Sequence, residues 1–127
     1  THVRGRIMKW IKSGREFVRA TGYSALASAL KDGAEISDDD CIELLARIES
    51  EIHESPNRAR HAMNNAVIAI GVFRPHLGTA AAETARRIGH VEVDHGETSC
   101  KTPDAVAYIK KALARKQKRK QKGGGNP

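Results

Sequence analysis

Punctuation constrains this chain more than any other feature. Six stretches with apolar residues at helical spacing are separated, at short intervals, by residues that stop one helix and start another. The first, about 3–12, carries Val3, Ile7, Trp10 and Ile11 and is broken by Ser13-Gly14. The second, about 15–32, carries Phe17, Val18, Tyr23, Ala25, Leu26, Ala29 and Leu30, with Gly33 as a left-handed stop. Ser37 caps the third, and Asp38, Asp39 and Asp40 fill its first turn, where carboxylates favour the positive end of the helix dipole. Cys41, Ile42, Leu44, Leu45, Ile48 and Ile52 give it one apolar face through Glu54. Ser55-Pro56 opens the fourth, about 56–73, as a capping serine followed by proline at the first helical position. This is the most apolar segment, with Ala59, Ala62, Met63, Ala66, Val67, Ile70 and Phe73, and it is expected to be the most buried. Pro75 starts the fifth, an alanine-rich run to Ile88 that ends at Gly89. Thr102-Pro103-Asp104 starts the sixth, whose Ala105, Val106, Tyr108, Ile109 and Leu113 are expected to face inward.

Taken in order, the six helices make three consecutive pairs of roughly 35 to 45 residues each. That period fits an all-α, HEAT- or armadillo-like α-α superhelix, in which about three antiparallel pairs stack and present a concave binding face. A plain six-helix bundle fits the same periodicity equally well. With 127 residues, the chain has room for one domain with a modest core. Its 39% hydrophobic and 4% aromatic content suits closely packed helices better than a β-sandwich. We therefore read residues 1–113 as one helical-repeat domain and 114–127 as a flexible basic tail. The tail sequence RKQKRKQKGGGNP has nothing apolar to bury and reads as disordered. The chain opens on Thr1 with a helical pattern already under way, which reads as the later part of a longer protein.

The formal charge of +7 is unevenly placed. Residues 1–104 hold 14 Lys and Arg against all 15 acids, whereas residues 105–127 hold 8 Lys and Arg and no acid. The body is near neutral and the excess belongs to the tail. Cys41 and Cys100 match no disulfide framework or CxxC motif, so a reducing cytoplasm is the expected location. There is no apolar run long enough to span a membrane and no secretory leader, so no membrane partner is expected.

The stretch VEVDHGETSCKTPDA places Glu92, Asp94, His95, Glu97 and Cys100 within ten residues. Zinc sites draw about four ligands, commonly as close pairs, and this stretch offers one Cys and one His without a second thiol or an HxxxH. The alternating oxygens of a calcium loop are absent, and no third group orients Cys100 and His95 as a nucleophile and base. Neither metal nor cofactor is expected. The stretch reads as a connection in which Gly96 turns, Thr102-Pro103-Asp104 caps the last helix, and Asp94 and His95 bond neighbouring amides.

The wording IGHVEVDHGETSCKTPDAVAYI, preceded by RHAMNNAVIAIG, resembles the C-terminal signature of the bacterial DNA alkylation repair protein family. Members of that family resemble alkylpurine DNA glycosylases built from HEAT-like repeats. The resemblance covers roughly residues 5–113, is most specific over 60–108, and favours the superhelix over the bundle. It implies a positively charged concave face that holds double-stranded DNA by its phosphate backbone. An aromatic–acid pair and a later aromatic would approach the damaged nucleotide there. The segment WIKSGREFVRATGY resembles the family's helix-turn-helix with a DNA-facing arginine, which falls on Arg19. The later aromatic aligns with Asn65. The Trp-and-Asp pair would lie upstream of Thr1, and Trp10 does not replace it, because Gly14 stands four residues on. No catalytic residue is assigned in this chain.

Residue spacing leads partway to the same face. Arg15 and Arg19 are four apart, and Arg58, His61 and Asn65 follow i, i+3, i+7 spacing, so each set shares a helix face. Arginine reaches phosphates, and Asn or His adds neutral donors. The competing reading pairs Arg15 and Arg19 with Glu16 or the acids of the third helix. Asn64-Asn65 inside an apolar helix calls for a partner, expected in an adjacent loop such as the VDHG turn. In the tail, Lys116, Lys118, Arg119 and Lys120 would add sequence-independent, salt-sensitive affinity for a polyanion. The expected function is recognition or excision of alkylated bases by the whole protein, with this chain supplying duplex-DNA binding. The rival is a helical-repeat scaffold that binds another protein, favoured if the groove proves acidic or apolar. Oligomeric state is left open by the sequence.

Overall fold

The computed structural model describes residues 2–91, 93 and 102–124, with side chains through Arg115. It contains six α-helices: α1 (His2–Ile11), α2 (Glu16–Lys31), α3 (Asp38–Glu51), α4 (Asn57–Phe73), α5 (Gly78–Ile88) and α6 (Ala105–Gly124). Single 3-10 turns, Ile52–Glu54 and Pro75–Leu77, lead into α4 and α5. The chain breaks where its punctuation expects. Gly33 and Gly89, which close α2 and α5, both sit at a φ of 75°, a left-handed region that glycine enters without a Cβ clash. Ser37 and Asp40 form a reciprocal capping box at the start of α3. Asp104 accepts the Ala107 amide at 3.1 Å and so caps α6.

Two local expectations are corrected. Ser55 does not cap α4; Pro56 holds the cap position with extended backbone, and the Ser55 hydroxyl donates instead to the Glu51 carbonyl at 2.8 Å. Pro75 opens a 3-10 turn rather than the helix proper, with the Leu77 amide reaching back to the Arg74 carbonyl at 2.8 Å.

The three pairs are stacked with a fixed register, and the hydrogen bonds between pairs record it. Arg4 of α1 bonds Asp40 of α3, His76 beside α5 bonds Asp38, and Arg87 of α5 bonds Glu49 of α3. Arg19 of α2 reaches Ser55 before α4, and Arg74 after α4 reaches the Ala34 and Ile36 carbonyls after α2. Asn64 of α4 reaches the Pro103 carbonyl before α6. With His53 to the Ile88 carbonyl and the Arg58 amide to Glu16 added, the sequence separations of these bonds run from 35 to 42 residues. A nearly constant offset is what a stack of similar units produces, because each unit touches its neighbour at equivalent points. It also sets direction. Start meets start and end meets end, so α1, α3 and α5 run parallel to one another, as do α2, α4 and α6. Gly78 at the start of α5 meets Leu113 far along α6, so that pair, and with it every pair, is antiparallel.

The result is an odd layer (α1, α3, α5) packed on an even layer (α2, α4, α6), the HEAT-like superhelix of three pairs. The core lies between the layers. Tyr23, Leu26, Ile48, Ile52, Met63, Ile70 and Ile109 are fully buried there. α4, central in its layer, is the most buried helix, as its composition predicts. Close approaches need small residues: a Cβ on Gly22 would lie 2.7 Å from the Ile11 backbone nitrogen, and one on Gly71 would lie 2.9 Å from Ile109. Cys41 is buried in this core, and burial pushes its thiol pKa up, so it packs as a small hydrophobe. Tyr108, read as facing inward, is instead exposed, as are Val3, Phe17, Ile42 and Phe73 among the apolar residues at helical spacing. A helix in a two-layer stack buries only part of its circumference, and residues at the edge of its apolar arc stay in solvent.

Candidate nucleic-acid interface

The start of α2 lies against the start of α4, and the residues singled out by sequence meet at this seam. Arg19 is half-buried and held at two points. Its Nε donates to the Ser13 carbonyl at 3.0 Å and its Nη1 to the Ser55 hydroxyl at 3.2 Å. Ser55 is itself buried, and its carbonyl accepts Arg60 Nε at 3.3 Å and Nη2 at 3.1 Å. Arg19 therefore clamps the α1–α2 link to the turn before α4. Neither the reading that pairs it with an acid nor the one that leaves it extended from an open stripe matches this geometry. Its acceptors are neutral, so its charge is not cancelled by a carboxylate. Arg15 is exposed and stands one residue before α2, on extended backbone with φ −84° and ψ 126°. The helical stripe expected from Arg15 and Arg19 is thus corrected, because only Arg19 is in the helix.

Arg58 lies across the seam from Phe17. Its guanidinium carbon stands 4.7 Å from the centre of the Phe17 ring, and its backbone amide donates to Glu16 Oε1 at 3.0 Å. One turn further along α4, the His61 ring and Asn65 Nδ2 are hydrogen-bonded at 3.2 Å. Arg58, His61 and Asn65 share one stripe of α4 and are all at least partly exposed, as their spacing predicts. Asn64 is buried and finds the loop partner expected of one member of the Asn pair, the Pro103 carbonyl at 2.9 Å. The backbone of α6 carries on through Gly124, past Leu113, the last residue of its apolar pattern. The side chains of Lys116, Lys118, Arg119 and Lys120 lie outside the described residues, as do Glu92, Asp94, His95, Glu97 and Cys100. Among the described residues, no three His, Cys, Asp or Glu side chains gather as metal ligands, and no helix is long and apolar enough to cross a membrane.

Sequence reasoning missed the charge that stacking creates. Carboxylates are concentrated in α3, which has six, while α2, α4 and α6 together hold one, Glu16. The ion pairs Arg4–Asp40, Arg47–Glu51 and Arg87–Glu49 and the His76–Asp38 hydrogen bond all use acids of α3 and belong to the odd layer. The Arg4 guanidinium, 2.6 and 2.7 Å from the two Asp40 oxygens, draws that carboxyl pKa down to about 2. Among the described side chains the even layer carries two Lys or Arg in α2, two in α4 and three in α6, Lys110, Lys111 and Arg115. Within residues 1–104, which are near neutral along the chain, the acids thus collect in α3 of the odd layer, while α2 and α4 hold four cations against one acid. On α6, Tyr108, Lys111 and Arg115 form an exposed stripe at i, i+3, i+7 spacing, another surface the inward reading of Tyr108 overlooked.

A stacked array of antiparallel helix pairs with one basic layer is a HEAT-like repeat protein, and comparison with known proteins agrees. One solved structure is described as a new family of proteins related to the HEAT-like repeat DNA glycosylases with affinity for branched DNA structures. It matches with a TM-score of 0.76 and 31% identity, over 87% of this chain and 48% of that one. An uncharacterized protein of Listeria innocua is 34% identical over 107 residues, covering 84% of this chain and 46% of its own length. An uncharacterized protein of Listeria monocytogenes is 32% identical over 106 residues, covering 84% of this chain and 45% of its own length. No family model matches. The chain thus spans about half the length of the relatives it matches, and over that span it resembles the HEAT-like repeat proteins related to DNA glycosylases.

Proposed function

We propose that this chain is a DNA-binding portion of a HEAT-like repeat protein of the alkylation-repair type, and that it holds the phosphate backbone on its even-helix layer. The carrying observation is the separation of charge: four of the six acids of α3 are tied to basic side chains on the odd side, and the even helices hold one carboxylate, Glu16, against seven described Lys and Arg. In this reading Arg15 and Arg58 touch phosphate directly, and His61 and Asn65 add neutral donors. Arg19 lends charge from its clamped position and fixes the seam on which the others stand. The tail, with Lys116, Lys118, Arg119 and Lys120, adds affinity without sequence preference. The solved relative's affinity for branched DNA supports a structure-reading role, and recognition or excision of alkylated bases would belong to the whole protein. The scaffold reading asked for an acidic or apolar groove, whereas the even layer is basic.

The test is duplex affinity against salt for the chain, for a form ending at Leu113, and for point variants. Arg15→Ala and Arg58→Ala should each lower the slope of log affinity against log salt by about one, uniformly across sequences. Lys9→Ala on α1 of the odd layer should leave it unchanged. Absence of salt-dependent binding in every form would overturn the proposal.

A further inference from the structure

Phe17 is the most exposed large apolar side chain described, at 62% of its surface, and it sits in the first turn of α2 beside a basic seam. A phosphate-binding face has no use for a phenyl ring. The ring is nevertheless held in a definite setting. The Arg58 guanidinium lies 4.7 Å from its centre, and the Arg58 amide is tied to Glu16, the residue before Phe17, at 3.0 Å. Ring and guanidinium come from different helices and are fixed relative to each other by the α2–α4 seam. Arg15 is exposed two residues away, and the His61–Asn65 pair lies next along α4.

We infer that the Phe17–Arg58 pair is a stacking platform for a nucleobase left without a neighbour, at a gap, a flap or a branch point in DNA. The inference rests on the even layer being the DNA-binding face, and it adds what that face selects. In an intact duplex both faces of every internal base are covered by neighbouring pairs, so an aromatic ring at the surface has no base to meet. At a discontinuity one face of a base is open. Phenyl rings and arginine planes both stack on bases, and the interaction tolerates any base because each has a π face. Arg58 brings a positive charge to the same place, and the stack would sit within reach of the phosphates that Arg15 and the α4 stripe hold. The platform is preorganised across two helices, so binding orders little that was free before.

The experiment uses a closed dumbbell duplex, which has no ends, and the same dumbbell with a one-nucleotide gap bordered by 2-aminopurine. The chain is expected to bind the gapped form about tenfold more tightly, in line with the worth of one stacked base, and to change the probe's fluorescence as the base stacks. Phe17→Ala should remove the preference and the fluorescence change while keeping its affinity for the closed dumbbell. Phe17→Trp should restore both. Arg58→Lys keeps the charge without the plane and should lose part of the preference. Equal binding of closed and gapped forms by the unaltered chain, or a Phe17→Ala variant that keeps the preference, overturns the platform alone. No binding to either form overturns the DNA reading beneath it.

Discussion

Tyr23 shows how far a single residue can be read. Its place among helical apolar positions marks it as core, and it is fully buried. What the spacing does not reveal is its polar company, since it lies in the field of Arg47 and Glu51 near the end of α3. Burial first, and then the Glu51 charge, push its phenol pKa up to about 12 from 10.0. The folded pKa is raised, so this contribution to stability is complete below pH 10 and is lost as pH rises from there through about 12. Tyr108→Phe would leave Tyr23 as the chain's one tyrosine. Phenolate absorbance in that variant should then titrate near 12 and track unfolding, and a midpoint near 10 would contradict the burial. Phe17 teaches the opposite lesson. It has the same helical spacing as the core residues of α2, yet it stays in solvent, because spacing names a helix face but not how wide an arc the neighbours cover.

At the scale of elements, local chemistry was legible wherever a motif does its work within a few residues. The Ser37–Asp40 box, the Gly33 and Gly89 stops and the Asp104 cap depend only on nearby backbone. The α4 start was misread because Ser55-Pro56 looks like a cap, whereas Ser55 is drawn into a seam with residues 36 positions away. Helix contacts make a similar distinction between glycines. Gly22 allows α1 to touch α2, and a methyl there meets backbone 2.7 Å away that has no rotamer to change. Gly5 on α1 has nothing within 4 Å. Gly22→Ala should therefore cost about 1–3 kcal/mol as overpacking. Gly5→Ala should gain about 0.5–1 kcal/mol from the better helix former. Urea unfolding of the two variants reads both signs, and a stabilised Gly22→Ala would show that the helices are not in contact there.

Across the whole molecule the repeats are held in register by polar ties, and the Arg4–Asp40 pair joins α1 to α3. The Asp40 pKa is lowered to about 2 from 3.8, first by its hydrogen bonds to Arg4, so its contribution is present above pH 3.8 and is lost as pH falls toward 2. Asp40→Asn should flatten the acid limb of the stability curve in that window, measured by unfolding at stepped pH. An unchanged limb would mean the tie contributes nothing to stacking. The sequence by itself determined the six helices, most of their ends and a pairing period of roughly 35 to 45 residues, because caps, stops and apolar periods act over one or two turns. Only the tertiary structure decided that every even helix lies on one side, that α3 draws the odd layer's cations onto its acids, and that Phe17 meets Arg58. Those are relations between residues about one repeat apart. A linear pattern carries no information about which of two layers a helix will join until the pairs have stacked.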